Sequence, residues 1–194
     1  MEYQTRKYPM LSACGLNCGL CPRYHTDGSS KCPGCAGEGF SSKHPSCGIL
    51  SCNQRKGNEY CYLCAEYPCK KYDNADLSDS FITHKNQFHD FNKAKRIGLE
   101  AYAVELEEKV KTLEYLLNNY DDGRRKSFFC AAVNLLDLQD INSVMEQITD
   151  EIEPEAPIKA KSATSVRQFE IMAEKRGISL RLRKKQKTKM KEGA

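Results

Sequence analysis

Apolar residues recur at helical spacing through the middle of the chain and hardly at all before it. Leu106, Val110, Leu113, Leu117 and Tyr120 follow at intervals of 4, 3, 4 and 3, with Glu105, Glu107, Glu108, Lys109 and Lys111 largely off that stripe. This predicts an amphipathic helix, closed by Asp121-Asp122-Gly123. Upstream, from Asp79 on, Phe81, Phe88, Phe91 and Ala94 also keep helical spacing, and Gly98 kinks or separates the two helices. Downstream, Phe128, Phe129, Ala132, Val133 and Leu136 predict a third helix. Asp140 reads as the N-cap of a fourth, with Ile141, Val144, Met145 and Ile148 on one face. Pro154 and Pro157 mark a linker over 151–162. Ser165 and Gln168 fit a capping box for a short helix with Val166, Phe169, Met172 and Ala173 on its apolar face. Ile178, Leu180 and Leu182 then alternate with Ser179, Arg181 and Arg183, a pattern that allows a short strand.

Residues 11–72 have a different texture. They hold eight of the chain's 12 glycines, and their large aliphatic and Phe residues are few: Leu11, Leu16, Leu20, Phe40, Ile49, Leu50 and Leu63. A segment this size with so little to bury needs a staple. Cysteine offers one, because ten of the 11 cysteines fall here.

Their spacing is Cys14-x3-Cys18-x2-Cys21, Cys32-x2-Cys35, Cys47-x4-Cys52, then Cys61-x2-Cys64 and Cys69. Two intervening residues let one tight turn aim both sulfurs at one ion while its amides donate to the thiolates. Pro33 and the neighbouring glycines suit such a turn at Cys32-Pro33-Gly34-Cys35. In a reducing compartment this density means metal ligands rather than disulfides. Zinc is the default, taking four Cys or His ligands in a closed structural site. Ten thiols would make two all-cysteine, four-ligand sites with two thiols over. The alternative is iron–sulfur, a [4Fe-4S] cluster, suggested by the proline after Cys21. The Cys14-x3-Cys18-x2-Cys21 triplet lacks the strand–helix alternation that a radical S-adenosylmethionine barrel requires. Loop residues His25 and His44 stay outside the ligand set. Cys130, on an apolar helical face, reads as a buried structural thiol.

The stretches Ser12-Ala13-Cys14-Gly15-Leu16-Asn17-Cys18-Gly19-Leu20-Cys21-Pro22, Cys32-Pro33-Gly34-Cys35, Cys47-Gly48-Ile49-Leu50-Ser51-Cys52 and Cys61-Tyr62-Leu63-Cys64-Ala65-Glu66-Tyr67-Pro68-Cys69 resemble the domain-of-unknown-function 3795 family. The resemblance covers residues 12–72 and continues more weakly through Arg96-Ile97-Gly98-Leu99-Glu100-Ala101. It implies metal binding, usually described as zinc binding, and it implies no reaction. Where relatives carry a further cysteine pair after the helix, this chain has Gly123-Arg124-Arg125-Lys126-Ser127-Phe128-Phe129-Cys130.

Charge adds a partner class. Residues 73–153 carry 9 Lys/Arg against 17 Asp/Glu, and residues 154–194 carry 12 against 4. Seven of the eleven residues from Arg181 to Lys191 are Lys or Arg. Arg181, Arg183, Lys184 and Lys185 are therefore candidate contacts to nucleic acid or another anion. The run has no interleaved aromatic residues for base stacking and otherwise reads as a solvated tail. No apolar run reaches the roughly 18 residues that span a bilayer, and no export signal is visible, so a cytoplasmic protein is expected. No Ser/His/Asp set, dinucleotide loop or P-loop appears. The expected architecture is α-rich overall. A cysteine-rich, metal-stabilised domain with knuckle-like turns and little regular structure occupies 1–72, and an all-α region 73–150. The linker is followed by a short helix and the strand over 163–183, and by a basic disordered tail at 184–194. The expected role is a zinc-binding adaptor or binding module with two or more ions and a nucleic-acid or protein partner; the iron–sulfur redox protein is the alternative.

Overall fold

In a computed structural model, residues 3–73, 75 and 77–185 are described. Among them lie seven α-helices and no strand. They are α1 (Phe40–Lys43), α2 (Gly48–Arg55), α3 (Gln87–Ile97), α4 (Leu99–Asn119), α5 (Lys126–Leu135), α6 (Leu138–Glu151) and α7 (Ile158–Lys175).

The helical body follows the apolar periodicity. Helix α4 buries Leu106, Val110 and Leu113 as the stripe predicts, and adds Tyr102 and Leu116. Gly98, at φ +90, separates α3 from α4. Phe129, Ala132 and Val133 on α5, Ile141, Val144 and Ile148 on α6, and Phe169 on α7 close one core around α4. Each fully buried Leu, Ile or Phe contributes about 1.5–3 kcal/mol relative to exposure.

Four local expectations are corrected. The first helix starts at Gln87, not near Asp79, and Phe81 is exposed beneath the Arg23 guanidinium. Asp137 stands at the N-cap of α6, because Asp140 is drawn inside the first turn by a bidentate ion pair with Arg176 at 2.8 and 2.5 Å. Helix α7 begins at Ile158 behind Pro157, so the linker is shorter and Ser165 sits inside the helix, its hydroxyl donating to the Lys161 carbonyl. Residues 178–183 form no strand. They lie along residues 79–85, where Lys85 Nζ donates to the Ser179 and Arg181 carbonyls and no neighbouring strand is offered.

The cysteine-rich segment is built of loops, short helices and single 3-10 turns, as its composition predicts. The turn Cys18–Leu20 is inserted against α4 and α5, with Leu20 fully buried. A Cβ on Gly19 would come within 2.8 Å of Val110, so only glycine permits this approach. Leu11, Leu20, Tyr60 and Tyr72 join the core of the helical body. A smaller core, Ala13, Cys35, Ala36, Phe40 and Leu50, lies beside it, with Tyr3, Cys18 and Cys47 packed on its edge. No described helix is long and apolar enough to cross a membrane.

Candidate metal centres

Two of the three C-x2-C pairs are wound as one 3-10 turn each. The Cys21 amide donates to the Cys18 carbonyl at 3.1 Å, and the Cys64 amide to the Cys61 carbonyl at 2.9 Å. The third pair is shaped by glycine. Gly34 has φ +85, and a Cβ there would stand 2.4 Å from the Pro9 carbonyl oxygen, while the Cys35 amide donates to that oxygen at 2.7 Å.

All eleven thiols are free. Eight of them fall into two neighbourhoods of four. Cys52, Cys61, Cys64 and Cys69 line a single small cavity of about 60 Å³, walled by Ile49, Asn53, Lys56, Tyr67 and Tyr72 among others. Asn53 Nδ2 donates to Cys61 Sγ at 2.9 Å, and Lys56 Nζ stands 3.8 Å from Cys64 Sγ while paired with Glu66 at 2.7 Å.

The second neighbourhood gathers Cys14, Cys18, Cys35 and Cys47. Burial is the main force pushing the Cys18 thiol well up, and repulsion from Cys35, Cys14, Cys21 and Cys32 adds to it. Burial likewise pushes Cys14 up to about 11, opposed by the Ser12 hydroxyl and reinforced by Cys35 and Cys47. Donors surround these sulfurs too. The Ala13 amide lies 3.5 Å from Cys35 Sγ, the Leu50 amide 3.5 Å from Cys47 Sγ, and the Ser12 hydroxyl 3.0 Å from Cys14 Sγ. Cys21 and Cys32 also neighbour Cys18: burial raises the Cys21 thiol first, Cys32 raises it further, and the Arg23 and Tyr24 amides hold it down. Among the described residues, no three Cys, His, Asp or Glu side chains converge into a ready-made metal-holding group. The sulfurs are neighbours with their donors in place.

Residues 10–74 match the family described as "Protein of unknown function (DUF3795)". The likeness to that family is confined to this segment, about a third of the chain. No curated protein and no solved structure matches the chain. The DUF3795 match contains all ten clustered cysteines and stops short of Arg96–Ala101, where the resemblance was weaker.

Residues that the motifs did not mark tie the matched segment to the helices. Asn17, buried between Cys14 and Cys18, donates to Asp90 at 2.8 Å and Asn134 at 3.0 Å, and accepts from Tyr102 at 3.0 Å. The Cys14 carbonyl accepts from Gln87 at 2.8 Å and from the Tyr72 hydroxyl at 3.1 Å. Arg6, Asn53, Lys56 and Tyr72 are likewise invisible to a ligand search on sequence, because only the fold brings them to sulfur.

The remaining candidates are placed as follows. Cys130 is buried in α5 and its thiol is pushed up to about 12, first by burial. Arg183 is engaged: its guanidinium pairs at 2.9 Å with the fully buried Asp79, and its amide donates to the same carboxylate at 2.7 Å. Arg181, Lys184 and Lys185 are exposed, and residues 186–194 lie outside the described residues. The turn at Gly123–Lys126 is organised by Asp121, whose carboxylate accepts from the Gly123 and Arg125 amides, and Lys126 Nζ donates to the His25 carbonyl at 2.9 Å.

Proposed function

We propose that residues 11–72 bind two metal ions through thiolates, one at Cys52, Cys61, Cys64 and Cys69 and one at Cys14, Cys18, Cys35 and Cys47, and that zinc is the ion. The observation that carries this reading is the cavity shared by Cys52, Cys61, Cys64 and Cys69, brought to one point from helix α2 and the two turns that follow it and faced by the Asn53 amide and the Lys56 ammonium. Thiolates are soft ligands suited to zinc, and N–H groups aimed at sulfur favour the ionised form that a metal needs. Rotation of cysteine side chains on turns already built completes the coordination. Cys21 and Cys32 are the two thiols over.

A centre with four protein ligands has no open position for substrate. The role is therefore structural, and the protein is a metal-stapled binding module. Elemental analysis of protein purified anaerobically with reductant tests this. Two zinc per chain without iron is the expected result. Iron with acid-labile sulfide would replace zinc by a cluster, and no bound metal at all would remove the reading.

A further inference from the structure

Arg6 is buried, only 9% exposed, in the arm that precedes the cysteine motifs. Its guanidinium stacks 4.3 Å from the centre of the Tyr60 ring, and Tyr60 is itself wholly buried. One nitrogen, Nη1, donates to Cys35 Sγ at 3.5 Å. The other two, Nε and Nη2, are closed off from solvent and have no hydrogen-bond partner. Among the described residues no carboxylate forms an ion pair with it. Lys7 and Glu59 line the open cavity beside it without pairing to it.

A guanidinium cannot shed its proton to escape such a place. Buried charges are paired or they are very costly, and the stack on Tyr60 offsets only part of that cost. The acidic group in contact is the Cys35 sulfur, and behind it stand Cys14, Cys18 and Cys47. Four thiolates around a divalent ion leave an excess of two negative charges. The buried cation and the thiolate group each lack what the other supplies.

We propose that Arg6 is the counter-ion of the Cys14, Cys18, Cys35 and Cys47 centre, offsetting the excess negative charge of the loaded site through Cys35 Sγ. This rests on the metal-binding reading above and adds a residue outside the family match. The arm is held in place for the task. The Arg6 amide donates to the Ala36 carbonyl at 3.3 Å, and the Cys47 amide donates to the Tyr3 hydroxyl at 3.0 Å. The arm thus covers the same four-cysteine group from outside. Arg6 is a positioning residue for that centre rather than a ligand.

The test is zinc release from the full-length, zinc-loaded chain to a chromophoric chelator, followed as two equivalents. Arg6→Met, which keeps bulk and removes charge, is expected to speed release of one equivalent about 10- to 100-fold and to leave the other at its wild-type rate. Arg6→Lys keeps the charge without the planar stack, and its rate is expected between the two. In a Cys35→Ser background, Arg6→Met is expected to add little, because the contact is already gone. Four results overturn the assignment: a wild-type release rate in Arg6→Met, equal acceleration of both equivalents, an Arg6→Lys as leaky as Arg6→Met, or the same added effect with and without the Cys35 sulfur. Arg6→Lys carries the comparison if Arg6→Met does not accumulate as folded protein: faster release of one equivalent alone supports the assignment, and a wild-type rate or equal acceleration of both overturns it. A wild-type chain that takes up no zinc is a different failure, and it removes the parent reading with this one.

Discussion

Asn17 donates to Asp90 across 2.8 Å in the buried centre of the molecule, and in doing so joins the first cysteine loop to helix α3. The same amide nitrogen also reaches Asn134 on α5, and its oxygen is taken by Tyr102 on α4. One side chain thus holds the loop against three helices. Asn17→Ala would leave Asp90, Asn134 and Tyr102 each short of a partner. A loss of about 3 kcal/mol is expected, read as a lower denaturant midpoint with an unchanged slope. A loss below about 0.5 kcal/mol would show that water takes over the vacated bonds.

The division of the thiols predicts metal counts. Cys69→Ser is expected to lower zinc from two per chain to one, with the Cys14, Cys18, Cys35 and Cys47 centre still loaded. Cys130→Ser is expected to leave the count at two, since this thiol is buried in α5 and the thiol it neighbours is Cys21, which belongs to neither group of four. Loss of metal in Cys130→Ser would break the partition.

The pH dependence is expected to reverse with loading. Burial raises Cys14 to about 11 and also raises Cys18, Cys35 and Cys61 above the ordinary thiol value. A group raised in the fold holds its proton there longer than in the unfolded chain. The chelated protein is therefore expected to keep its stability up to about pH 8.5, the ordinary thiol value, and to lose it as pH climbs towards the folded values. Zinc inverts the sign by expelling about four protons per ion, so the loaded protein gains stability as pH rises out of the acid range. Thermal melts across pH with and without chelator, and proton release on zinc addition, measure both limbs.

Asp79 and Arg183 make a second pH-sensitive lock. Burial pushes the Asp79 carboxyl up, but the Arg183 guanidinium and amide and the His84 amide outweigh it and hold the group below its usual range. A lowered folded value stabilises the protein above the unfolded carboxyl value near 4 and is lost as pH falls through the folded one. Arg183→Leu is expected to cost about 2–3 kcal/mol at pH 7, with the deficit shrinking below about pH 4 as Asp79 takes a proton. Melts of the two proteins at pH 7 and pH 3 decide it.

The helices were legible because burial on α4 and α6 follows a 3.6-residue rhythm that sequence displays directly, whereas α5 is buried continuously from Phe129 to Leu135. Their ends were less so. Asp140 has the chemistry of a cap, yet Arg176 reaches it from another helix and draws it into the first turn. The alternation at Ile178, Leu180 and Leu182 looks like a strand, but it records one side of a segment resting on the helical body, with Ile178 and Leu180 against the core. The cysteine set was plain from spacing. Which sulfurs neighbour one another was not, since that depends on the positive-φ turn at Gly34 and Ala36: Cys35 neighbours Cys14 and Cys18, while Cys32 neighbours Cys21 and Cys18. Arg6 had no signal, because a lone arginine in a polar arm reads as surface.

The reach of Asn17 to Asn134 has a consequence for how the chain is made. The cysteine loops leave the ribosome before the helices, yet the loop around Asn17 finishes packing only after helix α5 has emerged. Through that interval the nascent thiols around Asn17 stand open to oxidants and to the wrong cation, so their protection waits on a helix made more than a hundred residues later.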